Sequence, residues 1–347
     1  MIQANDLEVR VGARLLLAPV SFQVVKGDKI GVVGRNGAGK TTTMRILAGE
    51  APAPGGSVRR SGRVGYLPQD PRESDLAVTA RSRIVSARSI ESLLERMNRA
   101  TDDISRARGP ARERAMAAYD RAEASFVAAG GYGAEAEAAR IASNLGLPDR
   151  VLAQPLHELS GGQRRRVELA RILFSDADTL LLDEPTNHLD ADSITWLRDF
   201  LRSYSGGVMM ISHSTVLLDE TVTKVFHLDA NRSVLDVYSM GWRPYLTQRQ
   251  ADERRRHRER LNAERKAAQL MAQSEKLHAK ATKATAAQNM ARRAERLLAG
   301  TEPARAEDRV AAISFPEPAP CGRTPLMAEG LSKAYGSLEV FTGVDLA

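Results

Sequence analysis

Ile30-Gly31-Val32-Val33-Gly34-Arg35-Asn36-Gly37-Ala38-Gly39-Lys40-Thr41-Thr42 decides how the first half of this chain folds. Ile30 to Val33 is a short apolar run with the character of a buried strand, and Thr41 to Leu47 reads as a helix. The glycines between them let the backbone approach a bound group closely. A strand, a glycine loop and a helix N-terminus in this order form a cradle of N–H groups for phosphate oxygens, with the positive end of the helix dipole facing them. Lys40 would reach the outer phosphates of a nucleoside triphosphate, and the Thr41 hydroxyl would ligate Mg²⁺. Gly34, Arg35, Asn36, Gly37, Ala38, Gly39, Lys40, Thr41 and Thr42 are therefore the expected nucleotide-binding residues. The plain alternative, an ordinary glycine turn, does not account for the whole pattern in its strand, loop and helix context.

Working outward, Leu7 to Val11, Leu15 to Val24 and Val64 to Leu67 read as further strands. From Thr79 to Leu145 the pattern becomes helical and rich in Ala, Arg and Glu, with breaks at Gly109-Pro110 and Gly130-Gly131. Apolar strands return at Thr179 to Leu182, Val208 to Ile211 and Val225 to Leu228, so strands and helices alternate as a parallel α/β sheet requires. The 347 residues give ample length for a core. The one cysteine, Cys321, rules out an internal disulfide framework or a cysteine-rich metal site and fits a reducing compartment. No apolar run approaches the length of a membrane-spanning helix, and Met1 leads into polar sequence rather than a signal peptide. The expectation is a cytoplasmic protein without a membrane partner. A formal net charge of +7 favours an acidic partner, and nucleic acid is one such partner.

The phosphate loop, followed at this distance by Leu159-Ser160-Gly161-Gly162-Gln163 and an apolar run ending in Asp183-Glu184, resembles the ATP-binding cassette ATPases. The resemblance implies roles for further residues. Gln69 would join the magnesium shell and pass movement to the helical insertion. Ser160, Gly161, Gly162 and Gln163 would form the signature loop that closes over ATP held by a facing cassette. Asp183, with Thr41 and Gln69, would hold Mg²⁺, Glu184 would orient or deprotonate the attacking water, and His213 would contact the terminal phosphate. Asn187-His188-Leu189-Asp190 would couple the two facing sites. Taken singly, Gln69 reads equally as a surface residue and His213 as a satisfied polar side chain. One departure concerns the base: an aromatic residue commonly stacks on adenine before a glycine of the first sheet, and Val11 stands there, before Gly12.

The chain also repeats itself. Leu7-Glu8-Val9-Arg10-Val11-Gly12 aligns with Leu331-Ser332-Lys333-Ala334-Tyr335-Gly336, and without a gap Val20-Ser21-Phe22 falls opposite Val344-Asp345-Leu346. The expectation is that residues 323–347 begin a second cassette in a longer polypeptide or a truncated product of one. A chance match of apolar patterns is the competing reading.

Between the two lies a stretch from Gln250 to Leu277 that neither proline nor glycine interrupts, then a basic turn, then a second helix from about Ala284 to Leu298. This reads as a helical hairpin with Lys280 and Lys283 near its tip, or, more plainly, as a solvated coiled-coil spacer. Its excess of Arg and Lys calls for an anionic partner, and RNA suits it better than DNA because no groove-reading module accompanies it.

Together these features resemble the ABC-F proteins, ribosome-associated translation factors of which some confer antibiotic resistance. The expected fold class is α/β: a P-loop ATP-binding cassette with a helical subdomain, then a long α-helical hairpin linker and the start of a second cassette. The expected domains are 1–241, with the helical subdomain about 79–158, a basic linker at 242–322, and 323–347. The resemblance implies ATP and Mg²⁺ as cofactors and the ribosome, through rRNA and tRNA, as partner. Contacts would come from Lys276, Lys280, Lys283, Arg292 and Arg293. The signature serine must come from a second cassette or a homodimer mate, so ATP hydrolysis by this chain alone is expected to be weak. A drug-export transporter subunit and a non-catalytic nucleotide-gated RNA-binding scaffold are the competing functions.

Overall fold

The computed structural model describes residues 1–69, 76–278, 284–299, 327–336 and 338–346. Strands β1 (Ile2–Val11) and β2 (Arg14–Val24) form an antiparallel hairpin turning at Gly12, and after β3 (Lys29–Gly34) and helix α1 (Lys40–Ala48) the chain returns as β4 (Gly55–Arg60) to pair with β1. Burial alternates along β1, with Ile2, Ala4, Leu7 and Val9 inward, as a sheet packed on one face demands. Sequence reading missed β4, because Gly55-Gly56-Ser57 carries no strand signal and pairing with β1 from Ile2 to Glu8 holds the strand in the sheet.

Strand β5 (Val64–Leu67) leads into the helical insertion: α2 (Ala80–Val85), α3 (Ile90–Arg106), α4 (Pro110–Ala128), α5 (Ala134–Asn144) and the short α6 (Asp149–Leu152). The breaks fall where the glycines foretold, with Gly109 preceding Pro110 at the first position of α4. Helix α7 (Gly161–Phe174) returns the chain to the sheet as β6 (Thr179–Asp183). Then follow α8 (Ala191–Ser203), β7 (Gly207–Ile211), α9 (Thr215–Thr221), β8 (Lys224–Asp229) and β9 (Val234–Tyr238). The main sheet has the order β5-β6-β7-β3-β8-β9 and is parallel except for the β8–β9 pair. Strands β6 and β7 are buried along their whole length, as continuous apolar runs covered on both faces must be. Because β3, β5, β6 and β7 run the same way, Lys40, Gln69, Asp183, Glu184 and His213 all emerge at one edge, the C-terminal ends of parallel strands.

Helix α10 (Trp242–His278) starts four residues after β9 and runs antiparallel to its neighbour α11 (Ala284–Ala299), small buried residues Ala267, Ser274 and Ala294 allowing close approach. The root of α10 is aromatic. Tyr245 is fully buried, with Tyr238 at 5.1 Å and Trp242 at 5.3 Å between ring centroids, and its hydroxyl lies 2.9 Å from Nδ1 of His227 on β8. Arg249 donates to the same phenol oxygen at 3.4 Å. With the phenol donating to Nδ1, the neutral imidazole carries its proton on Nε2. Burial, reinforced by the Arg249 charge, lowers the His227 pKa to about 4. Among the described residues no helix is long and apolar enough to cross a membrane.

Contacts divide the chain into Met1–Ala304 and Arg305–Ala347, so α10 and α11 group with the first unit. In the second, β10 (Ala328–Tyr335) and β11 (Leu338–Leu346) form an antiparallel hairpin. Its register reproduces that of β1 and β2: Leu331↔Val344 matches Leu7↔Val20, Lys333↔Phe341 matches Val9↔Leu17, and Tyr335↔Leu338 matches Val11↔Arg14. A side chain bonds across at the same place in both, Ser21 Oγ accepting from the Asp6 N–H at 2.9 Å and Asp345 Oδ1 from the Gly330 N–H at 2.6 Å. Asp6 and Gly330 share positive φ, as do Gly12 and Gly336.

Candidate nucleotide site

The loop between β3 and α1 has its glycines in conformations that other residues rarely adopt, with φ of 153° at Gly34, 77° at Gly37 and 93° at Gly39. At Gly34 space is limiting as well, since a Cβ there would lie 2.5 Å from the Leu228 carbonyl oxygen. Gly39 leads directly into α1, and the Thr43 amide and hydroxyl both donate to its carbonyl, at 2.8 and 2.9 Å. The Lys40 ammonium donates to the Gly34 carbonyl at 2.8 Å and to that of Arg35 at 3.1 Å, which holds it over its own loop. Burial lowers the Lys40 pKa, and the Glu184 and Asp183 carboxylates oppose that shift. Lys40, Asp183 and Glu184 thus share one electrostatic neighbourhood although they lie more than 140 positions apart in the sequence.

Asp183 ends β6 in a buried position, and Glu184 follows in the left-handed region at φ 50°. A non-glycine residue held there persists because its surroundings over-determine it. The Glu184 amide donates to the Ile211 carbonyl at 2.9 Å, and its carboxylate accepts from the His213 amide at 3.2 Å and lies 3.3 Å from His213 Nε2. Burial raises the Glu184 pKa above the usual carboxylate range, with the His213 charge and amide acting against it. A carboxylate so placed can accept a proton from water more readily than an exposed glutamate can. The His213 ring is exposed on its far side. Gln69 is exposed beyond the end of β5, where Leu67 pairs with Leu182 of β6.

The donor set fits a nucleotide with its cation: a loop of glycine amides, an ammonium, the Thr41 hydroxyl and a buried carboxylate at Asp183 supply charge complementarity to phosphates and hard oxygen ligands. Val11 is 56 % exposed at the rim of the first sheet and offers no ring for a base. In the second hairpin the matching Tyr335 is exposed, with the Lys333 ammonium 4.9 Å from its ring centroid.

The signature residues are engaged with their own helix. Ser160 caps α7, its hydroxyl accepting from the Gln163 amide at 3.2 Å while its own amide donates to the Gln163 side chain at 2.9 Å. Gly162 lies against His188, itself at φ 68°. Asp190 caps α8 by accepting from the Ser193 amide at 2.8 Å. Arg292 and Arg293 are exposed on α11, whereas Lys280, Lys283 and the Lys276 side chain lie outside the described residues.

Two arginines were missed. Arg165 is buried, and its guanidinium donates to the Asp183 carbonyl at 2.6 Å and to the Pro68 carbonyl. Arg166 donates to the carbonyls of Leu145 and Gly146 at 3.3 and 3.1 Å. The sequence did hold a signal for the first, because Arg165 shares a helix stripe with apolar Leu169 and Ile172 and is therefore a charge on the core side of α7.

Two family models, both described as ABC transporter, match residues 17–187 and 228–315. The chain is 35% identical over 269 residues to the tylosin resistance ATP-binding protein TlrC of Streptomyces fradiae, covering 74% of this chain and 47% of that one. It is 36% identical over 225 residues to the energy-dependent translational throttle protein EttA of Haemophilus influenzae, covering 64% and 40%. With YheS of Escherichia coli (strain K12) it shares 30% identity over 350 residues, 100% of this chain and 52% of that protein. The chain spans about half the length of the curated relatives it matches, or less. A solved ATP-binding subunit of an ABC transporter has the same fold, with a TM-score of 0.50 at 18% identity over 67% of this chain and 88% of its own. The loop at Gly34–Lys40, the Asp183–Glu184 strand end and these matches agree: the chain belongs to the ATP-binding cassette ATPases, with ABC-F proteins among its homologues.

Proposed function

We propose that this chain is the ATP-hydrolysing part of an ABC-F factor that acts on the ribosome through its basic helical hairpin, in translation regulation or in protection against antibiotics. The observation that carries the reading is the rooting of α10 in the nucleotide-binding sheet. His227, which bonds to Tyr245 of α10, precedes Leu228, whose carbonyl bounds the phosphate loop at Gly34. A cationic arm joined so directly to the ATP site suits an ATP-gated grip on RNA. The names of two relatives, a translational throttle and a tylosin resistance protein, point to the same process. We place it in the cytoplasm, where ribosomes are.

In the mechanism the loop amides from Gly34 to Lys40 bind the phosphates, and Lys40 exchanges its own loop carbonyls for the outer phosphate oxygens. Thr41, Gln69 and Asp183 would hold Mg²⁺, which when bound would supply positive charge against that developing on the phosphates. Glu184, held by His213, orients water and accepts its proton. His213 keeps its exposed face toward the terminal phosphate. Ser160, Gly161 and Gly162 serve the site of a facing cassette, so hydrolysis needs a second cassette opposite this one.

The test is co-sedimentation with ribosomes of the Glu184→Gln protein in ATP, beside the same protein carrying Arg292→Glu and Arg293→Glu. ATP-dependent pelleting that falls with the charge reversals supports the reading. Pelleting independent of ATP counts against an ATP-gated grip, and recovery with a membrane protein instead favours a transporter subunit.

A further inference from the structure

We propose that Arg165 is a positioning residue for Glu184, fixing the water-orienting carboxylate to the helix that carries the signature loop. The proposal rests on the reading of Glu184 given above. Arg165 stands on the first turns of α7, five residues after Ser160, and is 5 % exposed. One nitrogen donates to the Asp183 carbonyl at 2.6 Å with the Glu184 carbonyl at 3.5 Å, and another donates to the carbonyl of Pro68, the residue before Gln69. A single planar group therefore ties three segments: the signature helix, the exit of β5 before Gln69, and the exit of β6 at Glu184.

The geometry at Glu184 makes this tie consequential. Its backbone sits in the left-handed region, held by the amide to Ile211 on one side and by the Arg165 fork on the carbonyl side. That backbone conformation aims the carboxylate at the His213 amide and ring. If the fork is lost, the peptide joining Asp183 to Glu184 keeps only one of its anchors and the carboxylate loses its aim. Arginine suits the task because its rigid fork reaches two carbonyls at once, whereas a lysine ammonium on a flexible stem reaches one at a time. The neighbouring Arg166 points the other way, to the end of α5, so the two side chains divide the core from the helical insertion between them.

The experiment compares Arg165→Lys and Arg165→Gln with the parent full-length gene product, each alone and combined with Glu184→Gln. Readouts are turnover at saturating ATP, affinity for a fluorescent ATP analogue, and melting temperature. Misplacing a catalytic group by about 1 Å costs on the order of 10²-fold, so Arg165→Lys should lower turnover by about tenfold or more while nucleotide affinity stays within about threefold. In the Glu184→Gln background the same replacement should change residual turnover by less than about twofold, because a residue acting through Glu184 has nothing left to position. An equal loss in both backgrounds overturns the proposal while leaving Glu184 in its role. Loss of nucleotide binding in both Arg165 variants assigns Arg165 to the fold and also overturns it. Wild-type turnover in Glu184→Gln alone overturns the underlying assignment.

Discussion

Tyr245→Phe removes one oxygen from the root of α10 and leaves the aromatic packing with Tyr238 and Trp242 in place. Two costs follow from the structure. The hydrogen bond to His227 Nδ1 is lost, a net of about 0.5–1.5 kcal/mol, and a buried imidazole nitrogen is left without its donor, which raises the total to about 1–3 kcal/mol. Tyr245→Ala, which also empties a fully buried ring site, should cost about 3–5 kcal/mol. The assay is urea unfolding at pH 7.5, read as a shift in midpoint at constant slope. Acid provides the internal control. His227 has a pKa of about 4 in the fold, below its ordinary value, so between the two values the unfolded chain binds the proton more readily. The stability due to its neutral form is thus fully present above about pH 6.5 and disappears as pH falls through about 4, by about 3 kcal/mol in all. Protonated Nδ1 cannot accept from Tyr245, so the gap between wild type and Tyr245→Phe should shrink as pH falls through about 4, where the folded His227 takes up its proton. A gap under about 0.5 kcal/mol at pH 7.5, or one that persists unchanged to about a pH unit below the His227 pKa of about 4, would refute the assignment of the phenol proton to His227.

Gly34→Ala should weaken ATP-analogue affinity by about tenfold or more, because its Cβ would meet the fixed Leu228 carbonyl and push the loop out of shape; calorimetric titration reads this directly. Ser160→Ala removes the cap of α7 and should cost about 1 kcal/mol in urea unfolding, with an unchanged midpoint showing that Gln163 alone suffices. The acid limb of the turnover profile should lie above the ordinary glutamate value, since burial raises the Glu184 pKa and only the ionised carboxylate accepts a proton; an acid limb at or below that value would count against Glu184 as base.

The phosphate loop, the buried strands and the breaks at Gly109 and Gly130 were legible because each is a local pattern with a steric or solvation cause. So was the repeat, whose two segments fold as hairpins of the same register. What escaped depended on distant partners. Strand β4 exists through its pairing with β1, and β9 through its antiparallel pairing with β8. The start of α10 at Trp242 rather than Gln250 reflects aromatic packing against Tyr238 that periodicity does not encode. His227 and Arg165 looked like stray polar residues in apolar settings, and only the fold reveals that one meets a phenol and the other two strand ends.

The length of α10 turns its anchorage into a matter of leverage. From Tyr245 to His278 the helix advances about 50 Å at 1.5 Å per residue. Each degree of tilt about the aromatic root therefore sweeps the far end through about 0.9 Å, and five degrees through more than 4 Å. A tilt at that root too small to break a hydrogen bond becomes, at the end of such a rod, a stride approaching one helical turn.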